Sequence, residues 1–259
     1  MDRRSFLGSL GLRTVGIGAT GLATMGGKAL PGAVRKPPYY QLDQYLLRNG
    51  SQVGRIHEFL KGSMKFFSGP RIILDGLVAP HMPQVVVIQG HSSIGEFLDS
   101  EAKRKQNADY RAALTAWEAG DEAPYESFST SLLEATPYSP GIGESSKSPR
   151  IFELRTYHSP TIRQLAALHE RFSGPEIRIF HRVGVHPILY TSTIIGSDRP
   201  NLTYLIPFDS LDAREKAWTA FGADPEWIKV RKESIDRSGQ ISSVIRIALY
   251  KATDYSPVR

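Results

Sequence analysis

The chain repeats itself once, and the repeat limits the folds open to it. Ala135-Thr136-Pro137-Tyr138-Ser139-Pro140 returns as Ala252-Thr253-Asp254-Tyr255-Ser256-Pro257, 117 positions later. The starts of the copies correspond at 112 positions: Tyr40-Gln41-Leu42-Asp43-Gln44-Tyr45 with Phe152-Glu153-Leu154-Arg155-Thr156-Tyr157, and His57-Glu58 with His169-Glu170. Five residues are therefore added within the second copy. Units of this length are halves or domains; solenoid turns recur every roughly 20–50 residues. A second Phe-Ser-Gly-Pro, at 67–70 and 172–175, is out of register and belongs to a different correspondence. Between the copies, Pro140 to Pro149 is rich in Gly, Ser and Pro, a linker composition that buries little apolar area.

Each copy reads strand, helix, strand, strand, helix, strand. In the second, Phe152, Leu154 and Thr156 alternate with Glu153 and Arg155, the period of a half-buried strand. Ser159-Pro160 is a helix start, and Leu165, Leu168 and Phe172 share one face of that helix. Gly174-Pro175-Glu176 restarts a short helix through His181, and Gly184 stops it. Strands are predicted over 186–195, 202–208 and 241–250, and a helix over 211–221. Asp224-Pro225-Glu226 caps a further turn. The order βαββαβ is the ferredoxin-like unit. The expected fold class is α+β: tandem ferredoxin-like units packed sheet to sheet as a pseudo-dimeric α/β barrel. The domains are 39–137, degenerate, and 151–257, joined by a linker at 138–150.

Positive charge is concentrated at the start. Residues 1–38 carry net +5 and residues 39–259 net +1. A nearly neutral body lacks the basic face that nucleic-acid binding needs, so no nucleic-acid partner is expected. Arg3-Arg4-Ser5-Phe6-Leu7 resembles a twin-arginine export signal, and residues 8–27 follow with seven glycines and no acid. Residues 1–33 are therefore expected to be a signal peptide outside the fold, and the location to be periplasmic or otherwise exported. No apolar run matches a membrane span. Cysteine is absent, which removes disulfides, thiolate metal sites and cysteine nucleophiles.

Six blocks of the second copy occur in a recognisable order. They are Phe152–Tyr157, Ile179–Pro187, Pro200–Tyr204, Arg214-Glu215-Lys216-Ala217-Trp218, Asp224-Pro225-Glu226-Trp227 and Asp254–Pro257. Together they resemble the NIPSNAP family of the dimeric α/β-barrel superfamily. The first copy keeps Tyr45 and the terminal Tyr-Ser-Pro, but has Ala108-Asp109-Tyr110 where Asp-Pro-Glu-Trp would stand. The resemblance implies the fold and a site in the second copy. Activity is mostly unknown in that family, and barrel-class relatives include cofactor-independent monooxygenases, heme-handling enzymes and small isomerases.

The ligand-binding candidates are Arg155, Tyr157, His169, His181 and Arg182. A guanidinium holds a carboxylate or phenolate, and histidine titrates near neutrality. Alternation places Arg155 opposite Phe152 and Leu154; if that apolar face met the helices, Arg155 would point between the sheets. Trp218 and Trp227 read as packing anchors. His181 and His186 are separated by Gly184 and cannot form a helical ligand pair, so no metal is expected, and no motif names a cofactor. No nucleophile elbow or phosphate loop is present. The expected role is non-catalytic binding of a small ligand or of a protein, with a homo-oligomer as a further expectation. The alternative is a small cofactor-independent monooxygenase or isomerase using the barrel cavity.

Overall fold

The computed structural model describes residues 36–142 and 150–259. The expected signal segment at 1–33 and most of the glycine- and serine-rich stretch lie outside them. Lys36–Arg259 is one compact unit.

The first repeat runs β1 (Tyr39–Leu46), α1 (Ser51–Ser63), β2 (Arg71–Val78), β3 (Gln84–His91), α2 (Ile94–Gln106), α3 (Ala108–Glu118) and β4 (Ser127–Ala135). The second runs β5 (Ile151–His158), α4 (Ile162–Arg171), α5 (Ile177–Arg182), β6 (Leu189–Ile195), β7 (Asn201–Phe208), α6 (Leu211–Ala223), α7 (Pro225–Ser238) and β8 (Val244–Ala252). A π-helical turn, Phe172–Glu176, joins α4 to α5 around Pro175. Matching caps mark the two halves. Ser93 and Ser210 start α2 and α6 by accepting the N–H of Glu96 and Ala213, and Asn107 and Asp224 start α3 and α7 through Tyr110 and Trp227.

Three local expectations shift. Thr161, not Ser159, caps α4, accepting from the Gln164 N–H, because the buried Ser159 hydroxyl donates instead to the Ile241 carbonyl. β6 begins at Leu189, beyond Pro187, which has no N–H to give a ladder. β8 begins at Val244, three residues late.

The eight strands close into one antiparallel barrel, in the order β1-β3-β2-β8-β5-β7-β6-β4. The repeats therefore do not stack sheet to sheet. They join edge to edge at two seams, β2·β8 and β4·β6, which leaves no free sheet edge along the paired stretches. Each seam pairs over four positions and contains a register shift, whereas β1·β4 and β5·β8 pair over eight. Ser127–Ser131 of β4 and Val244–Ala248 of β8 consequently have no seam partner. The barrel is tight at one end and splayed at the other.

The faces follow from strand alternation. Tyr40, Leu42, Ile72, Val86, Phe152, Leu154, Leu205 and Tyr250 fill the lumen in a cluster drawn from both repeats. Outside, each half has its own core beneath its helices. Ile56, Leu60, Ile73 and Trp117 pack in the first, and Leu168, Phe172, Phe180 and Phe221 in the second. The apolar face of β5 thus lines the lumen, and Glu153, Arg155 and Tyr157 lie beneath the second repeat's helices.

The duplicated tails cross over. Tyr138 and Ser139, at the start of the expected linker, attach to the second repeat. The Tyr138 hydroxyl is 2.7 Å from His169 Nδ1, and Ser139 accepts the Tyr190 N–H. Tyr255 and Ser256 attach to the first: the Tyr255 hydroxyl is 2.8 Å from His57 Nδ1, and Ser256 accepts the Ile73 N–H. Each half is clasped by the end of the other.

Candidate functional site

β5 lays Glu153, Arg155 and Tyr157 in a row, and α6 lowers Arg214 and Trp218, four residues apart on one helical face, onto it. Glu153 is fully buried. One of its oxygens accepts from Arg155 Nε; the other accepts from Arg214 Nε at 2.6 Å and Trp218 Nε1 at 2.9 Å. Arg155 also donates to the Tyr157 hydroxyl at 3.0 Å, and its guanidinium lies 3.6 Å over the Trp218 ring. Tyr157 meets Tyr204 edge to face at 5.2 Å. Burial raises the Tyr204 hydroxyl far above the usual range, so it stays neutral.

Beside this cluster, Arg171 and Glu176 form a second buried pair at 2.7 Å, with Arg171 packed 5.0 Å from the Trp227 ring centre. Burial raises the Glu176 carboxyl, and Arg171 works against that rise. Tyr157, Arg171, Glu176 and Trp227 border a cleft of about 110 Å³. That is below the roughly 300–1,000 Å³ of ordinary ligand pockets.

The remaining candidates lie elsewhere. His169 has both ring nitrogens engaged, Nδ1 with Tyr138 and Nε2 with the Ser192 hydroxyl at 3.0 Å. Burial lowers its basicity, as suits a neutral imidazole that donates once and accepts once. It is a clasp residue. His181 is exposed and stacks on His186 at 5.1 Å. Arg182 is also exposed and pairs with Asp224 at 2.7 Å and Glu226 at 3.0 Å. Of the five candidates, only Arg155 and Tyr157 come together. No group of three metal-ligating side chains occurs among the described residues.

Glu153, Arg214 and Trp218 carry the cluster as much as the candidates do. The sequence signal for Arg214 and Trp218 is the Arg-x-x-x-Trp spacing. The first repeat has Gln41, Phe97 and Glu101 at these three positions, so the cluster exists once.

A second space is the splayed half of the lumen, a cavity of about 310 Å³. Its lining mixes apolar Leu42, Leu133, Leu154 and Ala248 with polar Gln44, Gln84, Ser131, Thr156 and Thr203. An Arg246–Asp198 pair at 2.7 Å and His81 stand at its rim.

Comparison with known proteins agrees with this architecture. A candidate monooxygenase from Fusobacterium nucleatum superposes with TM-score 0.55 at 8% identity, over 84% of this chain and 93% of that one. A mutant chlorite dismutase from Candidatus Nitrospira defluvii, in complex with cyanide, gives TM-score 0.52 at 8% identity, over 86% and 93%. A NIPSNAP family protein of unknown function from Agrobacterium tumefaciens is 20% identical, covering 45% of this chain and 100% of its own, with TM-score 0.39. No curated protein matches. The barrel is of the dimeric α/β type, here completed within one chain, and its second repeat, over residues 152–257, matches the NIPSNAP family.

Proposed function

We propose that this chain binds a small molecule without transforming it. The observation that carries the reading is the mutual saturation of Glu153, Arg155 and His169. Glu153 takes three donors, Arg155 is shared between Glu153 and Tyr157, and His169 uses both nitrogens within the fold. A general base or nucleophile needs a free group within reach of substrate, and these residues offer none. Native mass spectrometry of the purified full chain tests the reading. A retained small molecule, recovered unchanged, supports it; protein that carries nothing from its native extract overturns it.

The fold likeness to a candidate monooxygenase favours a second reading, cofactor-independent oxidation in the cleft of Tyr157, Arg171 and Glu176. Oxygen uptake in the presence of a hydroquinone, lost in Arg171→Ala, would replace binding with oxidation.

The location we propose is outside the cytoplasm, reached by the twin-arginine route. Arg3→Lys with Arg4→Lys should leave the protein folded and unexported, as fractionation would show. Normal export of that variant sinks the assignment.

A further inference from the structure

The lumen cavity and one side chain in it lead beyond general binding. β3 and β7 correspond at 117 positions, so Gln84 and Asn201 occupy equivalent places facing the lumen. Asn201 is fully used. It donates to the Ser197 and Asp198 carbonyls at 3.3 and 2.9 Å, and accepts from Thr193 and Thr203 at 2.8 and 3.3 Å. Gln84 is 4% exposed, borders the cavity, and makes no side-chain hydrogen bond among the described residues. Its amide therefore opens onto the cavity with its hydrogen-bonding capacity left for whatever the cavity holds. Gln84, Gln44, Ser131 and Thr156 border the cavity toward the splayed end, and two residues further in along the same strands as the last three stand Leu42, Leu133 and Leu154.

The lining also says what charge the occupant carries. Arg246 and Asp198 neutralise each other at the rim, and His81 is tied to the Leu47 carbonyl at 2.8 Å. Below the rim every polar group is an amide or a hydroxyl. An ion there would lose its hydration and meet no counter-charge. Access comes through the splayed end, where Ser127–Ser131 and Val244–Ala248 lack seam partners.

We propose that this half of the lumen is a binding site for a compact uncharged amphiphile, with an apolar body against Leu42, Leu133 and Leu154 and a hydroxyl or amide held by Gln84. The site rests on the ligand-binding reading above, and is built jointly by both repeats. It accounts for a first repeat that lacks the second repeat's charged cluster yet supplies Gln44, Gln84 and Ser131.

The test uses three probes of one size on the full chain: benzyl alcohol, benzoate and benzylamine, followed by protein NMR. Benzyl alcohol should shift the amide signals of Gln84, Thr156 and Thr203, and both ions should bind at least about tenfold more weakly. Gln84→Met keeps the volume and removes the amide, and should weaken benzyl alcohol about tenfold. Ser131→Leu narrows the cavity from another strand and should abolish binding. Circular dichroism confirms that each variant is folded, and two variants on different strands guard against loss of either. Shifts confined to Tyr157 and Trp227, equal binding of the ions, or a lumen that admits only water each overturn the assignment. Any of these can occur while native mass spectrometry still finds a retained ligand, so the lumen site and the general binding reading fail separately.

Discussion

Glu153 is the residue whose loss the second repeat should feel most. Its carboxylate is fully buried and faces two guanidinium groups and an indole N–H. Glu153→Gln would leave Arg155 and Arg214 uncompensated in a dry site, and breaking such a pair costs about 3–5 kcal/mol. The urea midpoint should fall accordingly; a change below about 1 kcal/mol would mean that the cluster is solvated. Arg182→Ala should move the midpoint little, because its ion pairs are exposed. The difference between these residues shows where sequence reading stops. Arg155 and Arg182 look alike in one dimension, and only the third separates a buried guanidinium from a solvated one. Glu153 was visible as Arg155's neighbour, but three donors converging on it depend on how α6 docks over β5. Gln84 gave no sequence signal at all, since its role comes from lacking the partners that Asn201 has.

At the scale of elements, the two clasps are chemically unequal. His57 Nε2 is 3.2 Å from Asp75, whereas the equivalent His169 Nε2 faces the neutral Ser192. The hydrogen bond to Asp75 raises the His57 pKa, with Asp254 adding to the effect; burial lowers that of His169. The first clasp therefore adds stability that is complete below the unfolded value of about 6.5 and disappears as pH rises through the folded value. The second adds stability that is complete above about 6.5 and disappears as pH falls through the folded value. His57→Gln should thus destabilise more at pH 5.5 than at pH 8, and His169→Gln more at pH 8 than at pH 5.5, in urea titrations at both. Exposure of Asp75 keeps the first effect small, about 1 kcal/mol or less. The strand and helix order was legible because alternation and caps recur in both copies. The boundaries slipped at Ser159, His186 and Ile241, where a serine hydroxyl bonds across the chain or a proline interrupts the ladder.

For the whole molecule, the repeat in the sequence announced two similar units and a barrel, but not the way they close. Edge-to-edge closure depends on Leu74 meeting Ala252 and Leu133 meeting Thr193, which no local pattern encodes. Because both seams and both clasps cross between the halves, residues 36–142 alone should not fold to a stable monomer. Co-expressed with residues 150–259, they should assemble one to one, as light scattering after gel filtration would show. A compact, monomeric first half would refute this. The crossed tails also set an order of events during synthesis. Tyr255 leaves the ribosome 198 residues after the His57 it secures. The second half can acquire its clasp as it emerges, since Tyr138 precedes it; the first must wait, seam uncovered, until almost the last codons are read. A chain released early at residue 252 would carry a latched second half and an unlatched first, a defect that a protease inspecting new proteins could recognise by its loose front end.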